Sequence, residues 1–344
     1  MTLKKFFYVL FAISFVFSSC KVSKQNVDAI SQVETRVLNH KTVTDITEDD
    51  IHWHISVLAS DSMQGRATNT PYEAKAAEYI KEQFQSIGLK AFDDNYLQPV
   101  SGYSHKNVSC YGIIDVDEVM SQNVVGYLET GDSENEDGYI VIGAHYDHVG
   151  TKTIDGSVEI FNGADDNASG VAGMLEIAEK LSAEKQLRYN FIFAAFGAEE
   201  VGLVGSQFFC DNPPVPLEKI KLMVNLDMIG RMDWTNKVLI HTVKYNDHIN
   251  RMLDEIKDLH PDINATIAFD NYLQGSDHTP FYNKNIPVLS FTTGIHKDYH
   301  TPFDTSGLIN YKGEKRLLDF IYDFVISPAI DNCMRSLTSS ELSP

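Results

Sequence analysis

"NFIFAAFGAEEVG", residues 190–202, runs an unbroken apolar stretch directly into two adjacent glutamates, Glu199 and Glu200. A continuous apolar run, rather than an alternating one, suits a strand covered on both faces. A carboxylate at the mouth of such a strand loses hydration, and two side by side also repel each other. The stretch therefore reads as a buried strand that ends at something able to hold negative charge.

The same form recurs along the chain. "NVVGYLE" (123–129), "GYIVIGAHY" (138–146), "KLMVNLDMIG" (221–230), "KVLIHTV" (237–243) and "IPVLSFTTG" (286–294) are further strand candidates. Between them, "SGVAGMLEIAEKLSAE" (169–184) puts Val171, Met174, Leu175, Ala178 and Leu181 on one helical face. Upstream, Thr47 offers an N-cap to "EDDIHWHISVLAS", and Ala76, Tyr79, Ile80, Phe84 and Ile87 lie at helical spacing before a stop at Gly88. Alternating strands and helices predict an α/β fold, with a mixed, mostly parallel central sheet and helices on both faces. In such sheets ligands gather at the carboxyl ends of the strands.

Those ends carry a consistent chemistry. "YIVIGAHYDHVG" (139–150) ends in His145 and Asp147; "FNGADDNASG" (161–170) places Asp165 and Asp166 before a helix; the opening stretch ends in Glu199 and Glu200. Asp227 closes "LMVNLD", and His296, Asp298, Tyr299 and His300 follow "IPVLSFTTG"; among the good strands from 139 to 295 only "KVLIHTV" has no such end. Singly, an aspartate there is a turn former and a histidine a structural residue. Together, carboxylates crowded at one sheet edge call for a cation. Two imidazoles with carboxylates suit zinc or a similar transition metal, whereas calcium and magnesium prefer all-oxygen shells. His145, Asp165, Glu200, Asp227 and His300 fill two open zinc sites if one carboxylate bridges. Asp165, in its tight turn, is taken as the bridge. Adjacent residues on an extended chain point in opposite directions. One glutamate can then bind metal while the other accepts a proton; Glu200 as ligand and Glu199 as acceptor is one division, and the reverse is chemically allowed.

"GAHYDHVG", "NGADDNASG", "FGAEEVGLVGS", "NLDMIGR" and "DYHTPFDT", in this order, resemble the di-zinc aminopeptidases of the MH clan of metallopeptidases, over about residues 50–330. The resemblance implies an α/β/α sandwich that removes N-terminal residues from peptide substrates, using two Zn2+ per chain and a shared hydroxide. One zinc would take His145 and Asp227, the other Glu200 and His300, with Asp165 shared. Glu199 would be the general base, and Tyr299 matches a tyrosine that some members use on the oxyanion. Asp147 would hydrogen-bond and orient His145, and Asp166 would shape the turn. There are two departures: residues 95–123 are too short for the protease-associated insertion of many relatives, and His148 stands where many have Ser. His148 reads as a loop residue at the rim. Two alternatives share the architecture: a single-zinc glutaminyl cyclase, whose turn differs from "GADDNASG", and a non-catalytic binding protein that has lost its metals. Phe281, Tyr282, Phe291 and Tyr272 read as core before pocket wall.

The remaining features bound the partners. Net charge is -20, from 48 acidic and 28 basic residues, which argues against nucleic acid. "MTLKKFFYVLFAISFVFSSC" has Lys4 and Lys5, an apolar run, and small Ser18 and Ser19 before Cys20; it reads as a signal peptide over 1–19 and resembles a bacterial lipoprotein cleavage site, with Phe17 where Leu is usual. The chain is thus expected to be exported and membrane-anchored through lipid on Cys20. Residues 20–44 read as a polar tether, 45–335 as the peptidase domain and 336–344 as a tail. Cys110, Cys210 and Cys333 cannot all pair within one chain. Oligomeric state and side-chain preference are not legible.

Overall fold

The structure is a computed structural model that describes residues 45–109, 112–129, 138–185, 187–242, 247–269, 275–328 and 330. The signal segment, the tether, Cys20, Cys110, Cys333, Tyr272 and the tail lie outside the described residues.

Thr47 caps α1 (Glu48–Leu58), its hydroxyl accepting the Asp50 N–H, while Glu48, Asp49 and Asp50 fill the first turn, where the helix dipole favours acids. Thr70 caps α2 (Pro71–Ile87) in the same way, and Gly88, at φ 86, ends it as expected. Then come β1 (Lys90–Ala91), β2 (Leu97–Ser109), β3 (Gly112–Leu128) and β4 (Tyr139–His145). A small hairpin follows, β5 (Thr151–Ile154) and β6 (Ser157–Ile160), and then α3 (Gly170–Ser182) and β7 (Asn190–Phe196). The last part holds α4 (Val204–Asp211), β8 (Ile220–Leu226), β9 (Lys237–Thr242), α5 (Asp247–Leu259), β10 (Asn264–Phe269), α6 (His278–Asn283), β11 (Val288–Thr292) and α7 (Tyr311–Ile326).

The large sheet has the order β1-β3-β7-β4-β8-β11-β9-β10, with β2 also paired to β3. Its centre, β7, β4, β8 and β11, is parallel. The flanking pairs β3–β7 and β11–β9 are antiparallel. The predicted strands are thus all present, and the sheet is mixed as expected. Strand alternation explains the apolar runs. Phe191, Phe193 and Ala195 of β7, with Ile140 and Ile142 of β4, face a core shared with α1, α2, α3 and α7. Ile192, Ala194 and Phe196, with Val141, face the opposite core, which includes Phe209 of α4 and Phe281 of α6. Both faces are covered, so the strands are largely apolar until they end, with Asn225 and Ser290 among the buried polar exceptions. Phe281 and Phe291 are fully buried core residues. Cys210 is a buried free cysteine.

Arg66 locks the carboxyl-end side of this frame. It is fully buried. Its Nε donates to Tyr146 O at 2.7 Å, Nη1 to Leu58 O at 2.6 Å and Asn162 O at 2.7 Å, and Nη2 to Gly163 O at 3.0 Å. The end of α1, the end of β4 and the turn before Asp165 are thereby tied together. Burial pulls the guanidinium down to about 10, opposed by Asp166, Asp147, Asp304 and Glu200, so it stays charged at neutral pH.

Glu73, on α2, is also buried. Its carboxylate accepts the Asn69 N–H at 2.8 Å and the Ser121 hydroxyl. Burial, reinforced by Asp147, pushes it from 4.5 up to about 8. The folded chain therefore holds this proton more tightly than the unfolded chain. Its contribution to stability is complete below 4.5 and is lost as pH rises to about 8.

Two outcomes follow from this packing. Arg66→Met strands four carbonyls and removes the cation among the acids, so chemical denaturation should report a loss of about 3–5 kcal/mol; a loss under about 0.5 kcal/mol would show the tie to be dispensable. Glu73→Gln should gain stability relative to the parent chain as pH climbs from 4.5 to about 8. A difference that is flat across that window would contradict the buried, protonated state.

Candidate metal centre

The turns that leave the sheet aim the site. Asp147 lies two residues past β4, and its carboxylate is a staple. Oδ1 accepts the Glu199 N–H at 3.0 Å, and Oδ2 accepts the Glu200 N–H at 3.2 Å and the Thr68 hydroxyl at 2.9 Å. The turn after β7 is thereby fixed to the end of β4. The His145 ring is oriented by a different atom than expected: its Nδ1 lies 3.2 Å from the main-chain carbonyl of Asp147, while the Asp147 carboxylate is 3.9 Å away.

The turn "GADDNASG" is held from two sides, by Asp304 and by the end of β8. Asp304 Oδ2 accepts the N–H groups of Asp165 and Asp166 at 2.9 and 3.1 Å. Asn167 Oδ1 accepts from Gly170 and Met228, and its Nδ2 donates to Leu226 O, which binds the turn to the end of β8. The Asp166–Asn167 peptide is cis. Ala198, Met228 and His300 sit at φ 57, 57 and 53. Each is a side-chain-bearing residue in the left-handed region, at or next to a site residue, where backbone strain tends to collect.

Two groups of ligand-type atoms result. In one, His145 Nε2 lies 3.3 Å from Asp166 Oδ1 and 3.6 Å from Asp227 Oδ1. In the other, His300 Nε2 lies 2.8 Å from Asp166 Oδ2 and 3.0 Å from Glu200 Oε1, and His148 Nδ1 lies 2.9 Å from Glu200 Oε1 and 3.5 Å from Asp166 Oδ2. Within each group the atoms lie within 4.8 Å of one another.

The structure therefore brings together His145, Glu200, Asp227 and His300, as the sequence predicts, but not Asp165. The carboxylate between the two groups is Asp166. Asp165 turns away: its Oδ1 accepts the Gly230 N–H at 2.7 Å and its Oδ2 lies 3.2 Å from His296 Nε2. Neighbours on a non-helical backbone point oppositely, and Asp304 fixes which of the two faces inward. His148 is not a rim residue; it is buried in the second group. Asp304, Asn167 and Arg66 had no assigned part, although Asp304 stands inside "DYHTPFDT" and could have been read from it.

The electrostatics fit a cation. Burial opposes charge on Asp166, yet His148, His145 and His300 hold its carboxyl well below the usual range. Burial likewise opposes charge on His300, yet Asp166 and Glu200 push its imidazole up to about 11. The imidazoles of His145 and His300 are thus drawn toward the protonated state, against their burial, because so much negative charge is fixed there. Imidazole nitrogens and single carboxylate oxygens, buried and converging, are the donor set that zinc takes. Glu199, Tyr299, Met228 and His278 join His145, Asp166, Asp227 and His300 in lining a cleft of about 220 Å³. The Tyr299 ring stacks on His300, with centroids 3.9 Å apart.

Fold and site define an α/β protein with a buried histidine–carboxylate centre at the strand ends. The chain belongs to peptidase family M28, whose pattern matches residues 123–325. It is 31% identical to aminopeptidase YwaD of Bacillus subtilis, over 54% of this chain and 40% of that protein's length. It is 29% identical to the uncharacterized protein YfbL of Escherichia coli, over 71% of this chain and 77% of that one. In structure it is similar to BSAP, a zinc aminopeptidase from Bacillus subtilis, with a TM-score of 0.63 at 18% identity over 82% of this chain and 95% of that one. Porphyromonas gingivalis glutaminyl cyclase shares the fold at a TM-score of 0.61 and 18% identity, over 81% of this chain and 97% of that one. The family resemblance read from the motifs therefore stands.

Zinc titration separates the two aspartates. Asp166→Asn should lower the retained zinc by about one equivalent or more, whereas Asp165→Asn, which can still accept from Gly230, should retain the parent content. The opposite ranking would restore Asp165 as the shared ligand.

Proposed function

We propose that this chain is a zinc-dependent aminopeptidase acting on the N-termini of peptides. The observation that carries the reading is the Asp166 carboxylate, whose two oxygens face different groups of ligand-type atoms. One zinc would be held by His145, Asp166 and Asp227, and the other by His148, Asp166, Glu200 and His300. Bound there, zinc supplies Lewis acidity toward a carbonyl oxygen and toward water.

The chain's own residues do the rest. Glu199 takes the proton of the attacking water and returns it to the leaving amine. Its carboxyl suits both transfers, because desolvation, with Glu200, Asp277 and Asp227 nearby, raises it well above the usual range, against the pull of His145. Asp147 holds the Glu199 main chain in place through the Glu199 N–H. Burial and the surrounding carboxylates keep the Tyr299 phenol protonated, so its O–H can donate to the carbonyl oxygen as negative charge develops there. The acidic cleft also suits a substrate's positively charged α-amine. A cyclase with one zinc would leave one oxygen of Asp166 without a cation to hold, and a binding protein would not need Glu199 placed beside the centre. The N-terminal segment fits the same proposal, with an exported chain anchored through Cys20; that part rests on Lys4, Lys5, the apolar run and the small residues before Cys20.

Glu199→Gln should bind zinc like the parent chain, by elemental analysis, while kcat on an aminoacyl 4-nitroanilide falls by about a thousandfold or more. Near-parental turnover in the zinc-loaded variant would remove Glu199 from the reaction.

A further inference from the structure

Asn225, Ser290 and His241 stand side by side on β8, β11 and β9. Ser290 is in register with Asn225 on one side and His241 on the other. One layer down, the same face of these strands is apolar, with Met223 and Val288 in the core. One layer up, it reaches Asp227 and, on neighbouring β4, His145, because Gly143 is the partner of Asn225. A polar row inside such a sheet costs desolvation unless it meets partners or a cavity.

Here it meets the cleft. Ser290 and His241 line it, Ser276 and His278 close it from the start of α6, and the same space extends to Glu199 and Asp227. Asn225 is fully buried beneath. Its Nδ2 donates to Ser276 Oγ at 2.8 Å and to Ser290 Oγ at 3.2 Å, and lies 3.5 Å from His278 Nδ1. Each hydroxyl, accepting from below, keeps its O–H for an acceptor in the cleft. Burial pulls the His278 imidazole down to about 4, so it is neutral; its Nδ1 lone pair faces the Asn225 amide and its Nε2 keeps an N–H.

We propose that this end of the cleft receives the side chain of the substrate's N-terminal residue and selects an uncharged carboxamide, glutamine or asparagine, over an aliphatic one. The proposal rests on the aminopeptidase reading and adds the substrate class. The Ser276 and Ser290 hydroxyls and the Nε2–H of the neutral His278 imidazole present donors to the carboxamide oxygen. An aliphatic side chain would leave the hydrogens of these three buried donors without acceptors. Among the described residues, the lining holds no Lys or Arg to draw an acidic side chain, and Glu199 and Asp227 at the mouth repel one. Asp277, though buried, does not line the space.

The test is release of 4-nitroaniline from glutaminyl, asparaginyl and leucyl 4-nitroanilides by the zinc-loaded full chain. Asparagine and leucine are close in size, which separates hydrogen bonding from volume. The expected kcat/KM favours the carboxamides by at least about tenfold, and the Ser276→Ala/Ser290→Ala double variant should bring the ratio within about threefold. Independently of any variant, free glutamine should inhibit the parent chain more strongly than free leucine. Leucyl cleavage as fast as glutaminyl, with leucine the stronger inhibitor, would overturn the proposal and leave the aminopeptidase reading intact. A zinc-loaded chain that releases no amine from any of the three, or that converts the glutaminyl amide to a pyroglutamyl amide without releasing amine, would overturn the aminopeptidase reading itself.

Discussion

Negative charge confined at one sheet edge is the constraint around which this protein is built. Asp147, Asp165, Asp166 and Asp304 are all buried, and Glu200 and Asp227 reach the same centre. Desolvation and mutual repulsion both oppose such a set. The chain offsets them locally with main-chain N–H donors. Asp147 takes two, Asp304 takes two and Asp165 takes one. Arg66 adds a charged group that is itself satisfied by four carbonyls, so it can remain buried without a direct carboxylate partner. What is left over is concentrated on Asp166, Glu200 and Asp227, which face imidazoles rather than N–H groups. The acids with backbone partners position the turns, and those without them face the centre.

The sheet makes this division workable. Four central parallel strands end on the same side, and their two faces are largely apolar until each strand stops. The centre is thus built from turn residues whose direction depends on short-range main-chain geometry. Left-handed backbone at Ala198, Met228 and His300 turns the chain sharply at those points. Each such residue costs about a kilocalorie per mole or more, a cost borne by a large double-sided core.

This explains what could be read in the sequence. Apolar runs identify buried strands whatever their partners, so the strands and the α/β class were legible. His145, Glu200, Asp227 and His300 were legible because each stands at or just past a strand end. The choice between Asp165 and Asp166 was not, because both occupy one turn and a rotation by one residue exchanges them. Asp304, more than a hundred residues away, decides it by binding both N–H groups. His148 was misplaced for a related reason: two residues beyond Tyr146 the chain follows Arg66, whose carbonyl oxygen accepts the His148 N–H, and nothing near His148 in sequence announces that. Polar Asn225 and Ser290 were visible inside apolar strands, but only the register shows that they adjoin His241.

The paired glutamates show how far adjacency can be separated by environment. Glu199 and Glu200 share one turn and one staple, Asp147. From there their surroundings diverge. Glu200 meets His148 and His300, and although burial and Asp166 work against its charge, these imidazoles hold it below the usual carboxylate range. Glu199 is desolvated among Glu200, Asp277 and Asp227, and its pKa rises despite the opposing pull of His145. Two chemically identical side chains at consecutive positions are therefore pushed in opposite directions. That separation suits one carboxyl to the part of a fixed anionic ligand and its neighbour to the proton transfers proposed for it. Sequence order alone could not assign the two parts, because either glutamate could have been the inward one. The assignment comes from which side of the turn holds the imidazoles of His148 and His300, and that side is set by the folding of the "GADDNASG" and "DYHTPFDT" segments against each other through Asp304.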